Sequence, residues 1–191
     1  IIKEGFDSLT IMNYLLTVGS SKNIQSLVNV PSMIKSFEIK DLGRSSPKFN
    51  KKELIRINSE ILKKLNFSMV KDRLSDLGIM NVSNQFWNVI RNNINFLKES
   101  LEWWKVVSSN EIFYQDEKDY LLQCASVLPE GPFTDQTWDK WLEKIKNISD
   151  RKGQKLFKPL RIALTGREDG PELKNFLPLL SRKKILYRLG S

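Results

Sequence analysis

The sequence predicts an all-α protein, and three observations predict it. Apolar residues recur at three- and four-residue spacing along nearly the whole chain. Residues suited to starting or stopping helices stand at the ends of those runs. Strand-like alternation is nowhere sustained. The expected architecture is a helical bundle or cage of about ten helices in one or two lobes. At 191 residues, with 40% hydrophobic and 28% charged side chains, the composition is globular and a sizeable core can be buried.

The first helix is "DSLTIMNYLLTVG", with Asp7 or Ser8 as its N-cap and Gly19 as its stop. A short second helix begins at Pro31, since proline is tolerated at the first helical position. "GRSSPKF" (43–49) is a loop that marks the boundary between an N-terminal piece and the remainder of the chain. The clearest helix is "NKKELIRINSEILKKLN" (50–66), where Asn50 caps and Glu53 occupies N3, close to a capping box. At about 100° per residue, Leu54, Ile57, Ile61 and Leu65 share one face. Lys52, Arg56 and Lys63 lie within about 40° of each other on the opposite side. That basic stripe is either a solvated face or the footprint of a polyanion, and spacing alone leaves both open.

Further helices are expected over 68–77, closed by Gly78, and over 83–95, 97–107 and 116–128. "PEGPF" (129–133) is a turn, after which Thr134 caps a helix carrying Trp138, Trp141, Leu142 and Ile145. The two tryptophans could stack on bases, but their register with the aliphatic stripe assigns them to the core. "LFKPLRIALTG" (156–166) sets Leu156, Leu160 and Leu164 on one face, with Pro159 in the first turn and Gly166 as the stop. "REDGPELKNFLPLL" then restarts, with Gly170 as cap and Pro171 at N1. Arg161 would thus stand beside a helix N-terminus. That is either a pocket for an acceptor or phosphate, or helix punctuation with two surface arginines. Ser181 caps the last helix, although Arg182, Lys183 and Lys184 fill its first turn. Cations at that end of the dipole are unfavourable by about 0.3–1 kcal/mol each, a conflict that a phosphate or a nearby acidic side chain would relieve.

Composition narrows the function classes. The longest apolar runs are a few residues, so no membrane span is expected. The opening "IIKEGFDS" has neither the basic start nor the apolar stretch of a signal peptide, and it lacks an initiator methionine, as expected of a fragment that begins mid-protein. Cys124 is the only cysteine and there is no histidine. An intrachain disulfide, a Cys/His zinc site and Ser-His-Asp or Cys-His nucleophilic centres are therefore excluded, and a reducing cytoplasm fits. No Gly-Lys-Ser or Gly-Lys-Thr phosphate loop occurs. The net charge of +9 points toward a polyanion, with nucleic acid the first candidate. A basic helical protein-interaction module is the competing class. An autonomous enzyme stands third, because no carboxylate pair is placed apart from surface charge.

Against this background, "PLRIALTGREDGPEL" (159–173) resembles the C-terminal signature of bacterial-type glutamyl-tRNA synthetases. "EGFDSLTIMNYLLTVG" (4–19) is similar to the stretch just after that family's second catalytic signature, and "SPKFNKKELIRINSEIL" (46–62) to the segment that opens its helical, stem-contacting region. "GPFTDQTWDKWL" and the closing "LSRKKILYRLGS" fit as well, so the resemblance covers essentially the whole chain. It implies the anticodon-binding domain of a class I aminoacyl-tRNA synthetase. Residues 1–45 would end the stem-contacting region, 46–130 would form a first helical anticodon-binding subdomain and 131–191 a second. The parent enzyme would attach glutamate to tRNA using ATP and Mg²⁺. This portion would lack the catalytic motifs, bind no cofactor or metal itself, follow its own catalytic domain, and act in the cytoplasm as a monomer.

The resemblance also nominates residues for tRNA. Arg161 falls on an arginine that lies at the anticodon, and Leu173 on a leucine that contacts it. Gly170 and Pro171 fall on a threonine-proline pair of some members. Gly170 has no hydroxyl, so only backbone contacts to a base remain there. Thr165 reads as structural and Arg167 as a contact to backbone phosphate. Members that discriminate glutamate tRNA from glutamine tRNA check the third anticodon base with an arginine four residues before a Leu-Lys-Glu. Here that position is Asn93, with Arg91 two residues earlier. Asparagine lacks the charged fork, which implies relaxed discrimination and a parent that also, or mainly, charges glutamine tRNA. Lys52, Arg56 and Lys63 would serve the phosphates.

Overall fold

The computed structural model describes residues 2–20, 26–43, 48–113 and 116–190. Among them are eleven α-helices: α1 (Ser8–Gly19), α2 (Val30–Ser36), α3 (Lys51–Lys64), α4 (Phe67–Asp76), α5 (Asn84–Ile90), α6 (Ser100–Ser108), α7 (Lys118–Ser126), α8 (Asp135–Ile148), α9 (Gln154–Thr165), α10 (Leu173–Phe176) and α11 (Arg182–Arg188). Short 3-10 turns lie between several of them, and the extended pairing among the described residues is one isolated bridge, Ser20 with Leu42. The all-α expectation holds. No helix among the described residues is long and apolar enough to cross a membrane. The expected loop at 43–49, and with it the division at 45/46, falls largely outside the described residues.

Contacts group the chain into two compact units, Ile1–Leu101 and Glu102–Ser191. In the first, α3 is central. Leu54, Ile57, Ile61 and Leu65 are buried as their spacing requires, joined by Leu62. Asn58 lies on the same buried face, and both polar atoms of its amide are partnered. Its Oδ1 accepts from Asp7 N (3.0 Å) and Thr10 Oγ1 (2.6 Å), and its Nδ2 donates to the Asn95 carbonyl. One polar side chain thereby ties the start of α1 and the chain beyond α5 to α3.

Several local expectations meet tertiary competition. Asp7 caps α1 through the Leu9 N–H (2.9 Å), and Asn50 caps α3 through the N–H groups of Lys52 (3.0 Å) and Glu53 (3.3 Å). The reciprocal half of the α3 capping box does not form. The Asn50 N–H donates to the Tyr14 hydroxyl (2.6 Å), and the Glu53 carboxylate turns to Arg56 instead. The single helix expected over 83–95 is α5 followed by a 3-10 turn, Arg91–Asn93, and it breaks at Ile94 in extended geometry. Ile94 is buried there, and its carbonyl accepts from Ser59 Oγ on α3 (3.3 Å).

In the second unit, α8 is capped through Thr134, whose N–H donates to Thr137 Oγ1 (2.8 Å). Trp138 and Trp141 are core residues, 8% and 0% exposed, and Trp141 Nε1 donates to the Cys124 carbonyl (2.9 Å). Burial pushes the Cys124 thiol up to about 11. Helix α9 starts earlier than expected, at Gln154, so Pro159 sits inside the helix rather than in its first turn. The Lys155 carbonyl that loses a partner to this proline accepts from Arg151 Nη1 at 3.4 Å.

Candidate nucleic-acid interface

The turn between α9 and α10 gathers the residues of the 159–173 motif. Gly166 ends α9 in the left-handed region (φ 69°), and its N–H donates to the Ile162 carbonyl (2.7 Å). Thr165, 2% exposed, donates its hydroxyl to the Arg161 carbonyl (2.7 Å) and accepts from the Arg167 N–H (3.3 Å). That is the structural part expected of it. Gly170 is at φ 127°, and a Cβ there would collide with the Trp103 ring, 2.7 Å from Cζ2. A Cβ at Gly166 would meet the Phe113 ring at the same distance. Two aromatic rings therefore floor this turn where glycines leave space.

The expected helix start at Gly170 and Pro171 is corrected. Helix α10 begins at Leu173 behind Glu172 and is four residues long, continued by a 3-10 turn, Leu177–Leu179. Trp103 explains the shift, because the backbone must arch over its ring at Gly170 before α10 can start. Arg161 reaches the residue just before the N-cap of α10. Its Nη1 donates to the Pro171 carbonyl (2.9 Å), pinning the turn back onto α9. Among the described residues this is the only hydrogen bond of its guanidinium, which is half-buried and retains the rest of its five-donor fork. Pro171 and Leu173 are buried, the latter 5% exposed.

Arg167 leaves the turn with its guanidinium carbon 5.0 Å from the Trp103 ring centroid. Its Nε lies 3.9 Å from the Asp169 carboxylate, and the side chain is 43% exposed. Trp103 is itself buried and edge-on to Phe176, with centroids 5.8 Å apart. Glu168, next in the turn, pairs with Lys158 (2.8 Å).

Residues 91, 93, 52, 56 and 63 belong to the other compact unit. Asn93 is exposed at the end of its 3-10 turn. Arg91 is half-buried and donates Nη1 to the Leu65 carbonyl (3.3 Å), which also accepts from Trp87 Nε1 (2.8 Å). On α3, Lys52 and Lys63 are exposed, but Arg56 is held within its own helix by Glu53 (2.6 Å) and Glu60. The hydrogen bond from Arg56 holds the Glu53 carboxyl below the usual carboxylate range. Among the described residues, the three-residue basic stripe is thus two free-standing lysines and one neutralised arginine.

The first turn of α11 eases the dipole conflict internally for two of its three cations. Ser181 caps the Lys184 N–H (3.3 Å), Arg182 pairs with Glu130 (3.0 Å), and Lys184 Nζ donates to the Val107 carbonyl. An acidic side chain and a carbonyl thus serve two of the three cations. Sequence reasoning missed two residues. Trp103 carries no local signal of its role. Arg188 does, standing three positions after the buried Ile185 and so on the core face of α11. Arg188 is 1% exposed and donates to the carbonyls of Leu164 (2.7 Å), Val106 (2.6 Å), Ser109 (3.1 Å) and Glu111 (3.2 Å). Burial pushes its guanidinium down to about 10, still charged at neutral pH, with the Phe113 ring 4.6 Å away. It fixes the end of α9 from beneath, while Arg161 fixes the turn from outside.

Residues 52–191 match a family model described as "Anticodon binding domain". Across its length the chain is 37% identical, over 191 residues, to glutamate-tRNA ligase 2 of Bartonella bacilliformis, covering 98% of this chain and 42% of that protein. It is 38% identical over 189 residues to glutamate-tRNA ligase 1 of a Wolbachia sp. subsp. Brugia malayi, with the same two coverages. The chain thus spans about two-fifths of the length of these relatives. The crystal structure of the glutamate-tRNA synthetase from Elizabethkingia anophelis superposes with a TM-score of 0.77 at 14% identity, over 99% of this chain and 41% of that one.

Proposed function

The chain belongs to the anticodon-binding domain family, and from that premise we propose that it is the part of a glutamate-tRNA ligase that holds tRNA and reads its anticodon. The observation that carries this reading is the guanidinium of Arg161, locked in place through one N–H by the Pro171 carbonyl while the rest of its fork is unspent. A planar fork held by its own scaffold suits the exposed edge of an unstacked base. Pro171, Gly170 and Leu173 shape the turn that presents it, and Arg167 adds the second cation. Lys52 and Lys63 meet phosphates on the stem side, with Arg56 contributing little because its charge is already balanced.

By role, residues 1–45 continue the stem-contacting region, while 46–130 and 131–191 form two anticodon-binding subdomains. That division is distinct from the compact units. In the whole ligase, ATP and Mg²⁺ would serve glutamate activation. Among the described residues no group of three or more His, Cys, Asp or Glu is placed to hold a metal ion, and no catalytic step is assigned to this chain.

The test is binding to purified glutamate tRNA, glutamine tRNA and an anticodon-scrambled control across a salt titration. An anticodon reader prefers one or both natural tRNAs over the control, and Arg161→Ala weakens that preference by about tenfold. Equal loss on all three would reduce Arg161 to a phosphate contact. Little RNA affinity at physiological salt would favour a protein-interaction module. A second reading concerns specificity. Exposed Asn93, standing where discriminating members carry arginine, favours relaxed third-base reading and equal binding of the two natural tRNAs. Preference for glutamate tRNA alone would remove it.

A further inference from the structure

We propose that Arg167, backed by Trp103, is a stacking plane for an unpaired nucleobase rather than a contact to backbone phosphate. The inference rests on the anticodon-reading role of the same turn and assigns how one residue of it works. Three observations carry it. The Arg167 guanidinium is 5.0 Å from the centroid of a tryptophan that is 4% exposed and wedged edge-on against Phe176, so one side of the cation is covered by an immobile ring. The side chain keeps 43% of its surface in solvent, so it is accessible to a ligand. Gly170 is what allows the ring to reach this position, since any Cβ at 170 would occupy the space of the indole.

Charge decides against phosphate. The Asp169 carboxylate stands 3.9 Å from Arg167 Nε, and Glu168 precedes it in the same turn. A phosphate approaching Arg167 would meet the Asp169 carboxylate, Glu168 being already paired with Lys158, and the cation is already partly neutralised. A base carries no net charge, so the acidic neighbours do not repel it, and guanidinium planes are suitable stacking partners for splayed bases. The result is a tryptophan–arginine–base sandwich, with the tryptophan holding the arginine plane before RNA arrives.

The experiment uses this chain and an anticodon stem-loop of glutamate tRNA, intact or with each anticodon base in turn replaced by an abasic sugar. For the unaltered chain, removal of the stacked base costs on the order of tenfold in affinity. Arg167→Lys keeps the charge but loses the plane. It is expected to bind the intact loop about tenfold more weakly, and to lose nothing more when that one base is absent. Arg167 is exposed, so an unchanged thermal midpoint certifies the variant. If Arg167→Lys binds the intact loop as tightly as the original chain, the stack is wrong. It is equally wrong if Arg167→Ala loses the same factor on every loop and flattens the salt slope by about one, because that is phosphate behaviour. Should the unaltered chain hold no intact loop better than a scrambled one, the anticodon-reading role itself falls and takes the stack with it.

Discussion

At Gly170, positive φ and the Trp103 ring act on one residue, and each alone would favour glycine. Gly170→Ala is therefore expected to lower stability by about 2–4 kcal/mol, from backbone strain and overpacking together. A denaturant titration measures it. Combining the change with Trp103→Leu should recover part of the loss, because only the overpacking share depends on the ring. A loss that the double variant leaves untouched would assign the whole cost to the backbone. Arg161 shows the limit of local reading at this scale. Its place in the motif was legible in the sequence, but its partner, the Pro171 carbonyl, depends on how the turn arches. The reason for that arch, Trp103, lies more than sixty positions upstream. No periodicity connects residues so far apart.

Helix α3 carries the clearest prediction at the level of an element. The carboxyl of Glu53 is held below its ordinary range by Arg56, so the unfolded chain binds a proton more readily than the folded one. The pair therefore contributes its full stability above pH 4.5 and loses it as pH falls through the lower folded value. Removing it by Glu53→Gln should cost about 0.5 kcal/mol near pH 7 and less near pH 3, since the pair is partly exposed and its carboxylate begins to protonate below its ordinary range. Denaturation midpoints of the two proteins at both pH values check this. Helix starts were legible at several capping side chains, Asp7, Asn50, Thr134 and Ser181, but not at Asn29, which starts α2 at Val30, one residue before the expected Pro31. They were not legible where tertiary contacts decide. Asn58 and Ser59 draw the chain at Ile94 and Asn95 out of helical geometry, and α9 extends back past Pro159 because Arg151 serves the carbonyl that proline abandons.

For the molecule as a whole, binding to a polyanion scales with the cations left free rather than with the formal charge of +9. Arg56, Arg151, Arg182, Lys158 and Lys174 all have carboxylate partners within the chain. Lys52 does not, among the described residues. Lys52→Ala should weaken tRNA and scrambled RNA alike and flatten the log-affinity against log-salt slope by about one. An unchanged slope would remove α3 from the footprint. The burial of Cys124 has a consequence at this same scale. With no histidine and its one thiol pushed up to about 11, the chain has no His or Cys side chain poised to change charge between about pH 5.5 and 8. The proposed binding to RNA should therefore shift little with pH within that range and strongly with ionic strength: a grip set by salt far more than by protons.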